Sequence, residues 1–255
     1  MTLRIVTALL LAFAALASAA DETAQRSGFD FMAPQTQALQ RDDTLNPGML
    51  WVKEGEELWA QRSGVSYRSC ASCHGDAGVT MRGVAARYPA YDAPERRAVD
   101  LGERIQICRQ RNQWALPFGA ESNQLLALQS FVAFQSRGMR IAPPDDPRLD
   151  AARERGRQLY VKRIGQLNLA CAQCHDGNAG QHLGGSLIPQ AHANGYPTYR
   201  LEWQGLGSMQ RRLRNCMTGV RAEPFPFAVP ELVELELYLA TRDRGMAIET
   251  PAVRP

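Results

Sequence analysis

Apolar and aromatic side chains return every three to four residues in four stretches: Val52 to Arg62, Ser122 to Phe134, Asp150 to Val161 and Pro230 to Ala240. That period predicts four helices, each with one buried face. They fall into two pairs, one helix opening and one closing each half of the chain. Gly55 and Gly156 hold matching places in the opening helices. A residue without a side chain there lets two helix backbones cross closely. Residues 21–50 are polar and lack a clear period, which reads as an extension laid over the body or over a partner. Pro143-Pro144-Asp145-Asp146-Pro147 reads as a stiff linker between the halves.

The two halves are copies of one unit. Cys70-Ala71-Ser72-Cys73-His74 is answered by Cys171-Ala172-Gln173-Cys174-His175, and the lone Cys108, four residues after Arg104, by Cys216, four after Arg212. Gly55 to Trp59 matches Gly156 to Tyr160, and Phe131 to Ile141 matches Tyr238 to Ile248. A period near 100 residues means a duplicated domain, because solenoid repeats are only about 20–50 residues long. The expected organisation is a first domain over 51–142, a linker over 143–149 and a second domain over 150–255, both mostly α. The second copy has seven more residues between its cysteine pair and its lone cysteine. The Gly-, Pro- and Asn-rich loop Gly180 to Tyr199 is their expected place. Loop insertions often carry function, so the second copy is the expected active site.

With 255 residues, 45% hydrophobic and 22% charged, the chain can bury two modest cores or one large one and has no mark of disorder. A formal charge of +3 gives no argument for nucleic acid. The N-terminus reads Met1-Thr2-Leu3-Arg4, an apolar run from Ile5 to Leu16, small residues through Ala20, then Asp21-Glu22. Residues 1–20 therefore read as a secretory signal cleaved after Ala19 or Ala20. The run is short of the roughly 18–20 residues that span a bilayer, and no later segment is long and apolar enough. The expected product is soluble, exported and periplasmic.

A Cys-x-x-Cys-His run supplies two thiols for the haem vinyl groups and an imidazole for the iron. That assigns Cys70, Cys73, Cys171 and Cys174 to covalent attachment of two haems, and His74 and His175 to the two irons. A structural zinc site would bring its second cysteine pair within about 15–20 residues. A thioredoxin-like pair needs a preceding strand and no histidine, and a disulfide pair has no use for two matching histidines. For the second iron ligand each copy offers a cysteine, Cys108 or Cys216, and a methionine, Met139 or Met246. His182 and His192 could serve only the second copy. The methionines also suit packing after the last helix, and the lone cysteines a mutual disulfide, though one joining equivalent sites on different haems is awkward. Thiolate is an established haem ligand, and the pattern favours it.

On these motifs, and on Tyr196 to Arg200 and Arg221 to Pro224, the chain resembles the SoxA family, the dihaem subunits of thiosulfate-oxidising SoxAX cytochromes. The resemblance covers nearly all of the mature chain. It implies two class I cytochrome c domains, His/Cys ligation of both irons and a one-haem SoxX partner. It also implies the reaction: thiosulfate is joined oxidatively to a cysteine of the SoxY carrier, in SoxYZ, and two electrons leave through the haems to a downstream cytochrome c. In the family the second-domain cysteine can be a persulfide and an arginine four residues before it binds substrate; these map onto Cys216 and Arg212.

The residues give that mapping separate support. On a helix Arg212 and Cys216 lie at i and i+4, on one face, with Arg200, Arg211, Arg214 and Arg221 near in sequence. Clustered guanidinium groups suit a small dianion. Arg104, Arg109 and Arg111 flank Cys108, so basic flanks alone do not separate the copies. Two other functions fit the haem motifs: a dihaem electron carrier without a substrate, and a dihaem peroxidase, which needs an open or displaceable iron ligand. An unpaired Cys216 beside Arg212 favours the sulfur transferase.

Overall fold

The computed structural model describes residues 24–255, so the secretory signal expected over 1–20 lies outside the described residues. A short helix, α1 (Pro34–Arg41), precedes the first copy. That copy opens with α2 (Met49–Ala60), carries its cysteine pair on the single-turn α3 (Cys70–His74), and continues through a hairpin of β1 (Ala90–Asp92) and β2 (Arg97–Val99). It then runs into α4 (Leu101–Cys108) and closes with α5 (Asn123–Phe134). The second copy repeats the order: α6 (Asp150–Val161), α7 (Cys171–His175), a hairpin of β3 (His182–Leu183) and β4 (Ser186–Leu187) in the inserted loop, then β5 (Thr198–Arg200) with β6 (Gly205–Gly207). The helices α8 (Met209–Gly219) and α9 (Pro230–Arg242) follow, and β7 (Ala252–Arg254) adds in parallel to β5.

The helix starts follow local chemistry. Ser122, Asp100 and Ser208 cap α5, α4 and α8 by accepting from the backbone N–H of Leu125, Glu103 and Arg211. Ser69 and Ser72 form a reciprocal capping box on α3. The opening helix starts at Met49, inside the stretch read as extension, because Met49 packs on the first core with Val52, Trp59, Leu128 and Phe131. It stops at Ala60, where Gln61 turns extended. In each copy the opening and closing helices cross at glycine: a Cβ on Gly55 would meet the Ala127 carbonyl oxygen, and one on Gly156 the Glu234 carbonyl oxygen. The second core gathers Tyr160, Leu213, Leu232, Leu235 and Leu239.

The proline-rich segment does not hold the copies apart. They pack face to face with the reciprocity of a two-fold dimer. Ala98 of β2 packs on Val233 and Leu237 of α9, while Leu206 of β6 packs with Leu126 of α5. At the centre Arg140 pairs antiparallel with its own counterpart, Ala247. Gly138 N–H donates to the Ile248 carbonyl and Gly245 N–H to the Ile141 carbonyl; Ile141 N–H donates to Met246 and Ile248 N–H to Met139. The N-terminal segment lies over the body, across the second copy. Arg26 N–H donates to Gln190, Asn46 donates to the Pro251 carbonyl, and Val253 N–H donates to Gln40. Among the described residues no helix is long and apolar enough to cross a membrane.

Candidate functional site

Each cysteine pair sits on one helical turn, and the lone cysteine of the same copy closes over it from the following helix: Cys108 lies near Cys70, and Cys216 near Cys171. All six cysteines are free, so the Cys108–Cys216 disulfide is not formed. Burial pushes the Cys70 and Cys171 thiols up to about 11, with the neighbouring lone cysteine adding to it. Neutral thiols held in apolar pockets suit thioether bonds to a haem better than thiolate coordination of a metal. Among the described residues no group of three or more His, Cys, Asp or Glu is arranged to hold a metal ion.

In the second copy His175 Nδ1 lies 2.7 Å from the Pro189 carbonyl oxygen. A carbonyl only accepts, so Nδ1 carries the proton and Nε2 keeps a lone pair that could bind a metal. The Cys216 sulfur is next to this ring. Of the other candidates, only His192 has both ring nitrogens engaged. His192 lies in a buried pair with Asp243 at 2.6 Å, and its second nitrogen is 3.3 Å from Gln190. His182 is exposed on β3. Met139 and Met246 have their backbones in the ladder between the copies. Met246 is buried there, and Met139 packs over Gly83.

Arg212 and Cys216 both lie on α8, and their charges interact directly. Burial alone would raise the Cys216 thiol, but the polar interaction with His175 and the positive charges of Arg212 and Arg200 outweigh it, so the group sits below its ordinary value. Arg200 reaches this place from the end of β5. Burial and the neighbouring Arg212 hold its guanidinium below the ordinary value. Both arginines share one carboxylate: Glu202 Oε1 is 2.8 Å from Arg200 Nε and 4.0 Å from Arg212. The guanidinium groups of Arg200 and Arg211 both lie over the Trp203 ring, at 5.1 and 4.3 Å from its centre.

The first copy differs in the charges that surround the matching arginine. Arg104, the counterpart of Arg212, is 2.6 Å from buried Asp92, and Arg111 pairs with Asp92 at 3.9 Å and with Glu95 at 2.5 Å. Asp92 ends β1 as Arg200 ends β5. Reading basic flanks by sequence proximity missed this exchange. Its signal was the repeated Tyr-Pro of Tyr88-Pro89 and Tyr196-Pro197, each three residues ahead of the exchanged position. The inserted loop forms an exposed hairpin, and its base is tied down by Gln190 and Asn194 against the N-terminal segment.

The family profile described as SoxA/TsdA, cytochrome c domain, matches this chain twice, over residues 54–141 and 155–248. The chain is 38% identical over 229 residues to the L-cysteine S-thiosulfotransferase subunit SoxA of Pseudaminobacter salicylatoxidans, covering 89% of this chain and 80% of that protein. It is 35% identical to the protein of the same name from Rhodovulum sulfidophilum, covering 90% and 80%. The crystal structure of SoxXA from P. pantotrophus superposes with a TM-score of 0.87 at 33% identity, covering 91% of this chain and 87% of that one. The paired thiols, the histidine after each pair and the mostly helical, duplicated fold are those of cytochrome c domains that hold haem c covalently. The chain belongs to the SoxA family of cytochromes c.

Proposed function

We propose that this chain is the periplasmic dihaem subunit of an L-cysteine S-thiosulfotransferase and joins thiosulfate to a cysteine of the SoxY protein in the SoxYZ carrier. The observation that carries this reading is the placement of Cys216 beside the His175 ring and one helical turn after Arg212, with Arg200 reaching the same point from β5. A pure electron carrier needs no cation pair beside that cysteine. In the overall change a carrier thiolate and thiosulfate form one S–S bond, giving a cysteine S-thiosulfonate and releasing two electrons. Bound haem c supplies the electron acceptor and the route out.

In this reading Cys70, Cys73, Cys171 and Cys174 hold the two haems, His74 with Cys108 and His175 with Cys216 flank the two irons, and Arg212 binds the substrate. Thiolate donates electron density to iron, whereas methionine ligation raises the potential. Haem held by a thiolate would therefore be a poor final oxidant, and a one-haem SoxX partner in a heterodimer, with a downstream cytochrome c beyond it, would take the two electrons. Two expected results follow. The ferric spectrum of this subunit alone lacks the far-red band of methionine ligation; a strong band would return Met139 or Met246 to the iron.

The second is the test of function: the haem-loaded heterodimer, given thiosulfate and SoxYZ, reduces cytochrome c, and the carrier cysteine gains the mass of one thiosulfate group. Arg212→Ala lowers kcat/KM for thiosulfate by about ten- to hundredfold, the scale of one charge-assisted contact. The haem spectrum is nearly unchanged, because a charge and no ligand is removed. Absence of carrier modification by the intact complex would overturn the assignment.

A further inference from the structure

We propose that Arg200 is a second anion-binding residue of the Cys216 site, and that the exchange of Asp92 for Arg200 between the copies decides which copy takes thiosulfate. This rests on the function proposed above. The two residues end equivalent strands, β1 and β5, in hairpins of the same register. Each points its charge at the arginine one turn before the lone cysteine. In the first copy that arginine, Arg104, has its charge matched by buried Asp92, and Arg111 is matched by Asp92 and Glu95. A dianion approaching Cys108 would have to displace a buried carboxylate.

The second copy has the opposite arrangement. Arg200 and Arg212 face the same point with one half-exposed carboxylate, Glu202, between them, which leaves an excess positive charge beside Cys216. The pairing with Glu202 is also incomplete: Arg200 Nε is buried, close to that carboxylate, and still without a hydrogen-bond partner. A buried N–H of a charged group left unpaired costs stability unless a ligand satisfies it. Two guanidinium groups sharing one half-exposed carboxylate, which an incoming anion can displace, suit a dianion such as thiosulfate. Their N–H donors suit its sulfonate oxygens, which leaves the terminal sulfur for sulfur chemistry.

The experiment uses the haem-loaded heterodimer and thiosulfate itself as probe. Arg200→Gln is expected to raise both the KM for thiosulfate and its Kd, read from perturbation of the haem spectrum, by about ten- to hundredfold. The kcat at saturation should stay within about twofold, as for a contact made equally before and during reaction. Arg200→Lys keeps the charge and recovers most of the affinity. It also reports on folding, since its haem content must equal that of the parent. Arg200→Asp installs the first copy's charge and should remove measurable thiosulfate binding.

Unchanged KM and Kd in Arg200→Gln would overturn the proposal. So would a shifted reduction potential of the second haem with unchanged thiosulfate Kd, which would assign Arg200 to a haem propionate. Turnover by the parent with an indifferent Arg200→Gln would retire the anion site alone. Thiosulfate binding that depends on Arg200, without any carrier modification by the parent, would retire the proposed reaction and leave the anion site standing.

Discussion

Cys216→Ala is expected to stop transfer of thiosulfate to the carrier, with a loss of roughly a thousandfold or more, the scale on which removal of a reacting nucleophile acts. Cys108→Ala, at the matching position of the first copy, should leave transfer within about threefold, as expected where no reacting group is removed. The two cysteines share motif, spacing and helix, so the asymmetry must come from their surroundings. Around Cys216 stand His175, Arg212 and Arg200, and together they outweigh the burial that would otherwise raise the thiol. Around Cys108 the matching arginine is paired with Asp92, and the polar neighbour of the sulfur is the Asn112 amide at 3.4 Å. Each variant should perturb the spectrum of its own haem, which shows that each protein is loaded and folded. The deciding measurement is carrier mass after incubation with thiosulfate and an electron acceptor. Equal damage from the two variants, with both haems present, would remove the assignment of the chemistry to the second copy.

The features legible in the sequence were those written in local periodicity or repetition. Helical spacing placed the four long helices within about three residues at each end, and Gly55 and Gly156 marked both crossings, because close approach of two backbones leaves room for no other residue. The doubled Cys-x-x-Cys-His motif and the lone cysteines gave the duplication, and the fold brings each lone cysteine near the pair of its own copy. Features that depend on which surfaces meet were not legible. The backbones of Met139 and Met246 build the ladder across the two-fold axis, a role visible only once both copies are in place. His192 has the right type for a ligand, and only the fold shows it tied to buried Asp243. The Pro143-to-Pro147 segment looks like a spacer by composition, yet the copies it joins share buried apolar faces. Arg200 was among the arginines near Cys216 in sequence, but only the strand hairpins show that Arg200 and its counterpart Asp92 each face the arginine one turn before the lone cysteine.

Gly156→Ala is expected to destabilise the haem-loaded protein by about 2–4 kcal/mol, lowering its Tm by roughly 5–15 °C. A methyl group on Gly156 would fall 1.9 Å from the Glu234 carbonyl oxygen, 2.6 Å from its carbon and 3.0 Å from Tyr238 Cβ. The first two are backbone atoms, so no rotamer change relieves the clash and α6 must move away from α9. Intrinsic helix propensity works in the other direction, favouring alanine by about 1 kcal/mol inside a helix. The steric term is the larger, so the net effect is destabilising. Separating these helices also disturbs Tyr160, whose ring packs at 5.3 Å from Tyr238 and whose hydroxyl donates to Asp176, the residue after His175. Haem loading of the second copy should therefore fall along with Tm. Gly55→Ala should act likewise on the first copy, since its methyl group would lie 2.2 Å from the Ala127 carbonyl oxygen. Gly219→Ala is the control: nothing lies within 4 Å of the added methyl group, and it ends α8. Its Tm should stay level or rise. If Gly156→Ala melts within about 2 °C of the parent with full haem content, the helices have slack at this crossing and the glycine is not what sets their separation.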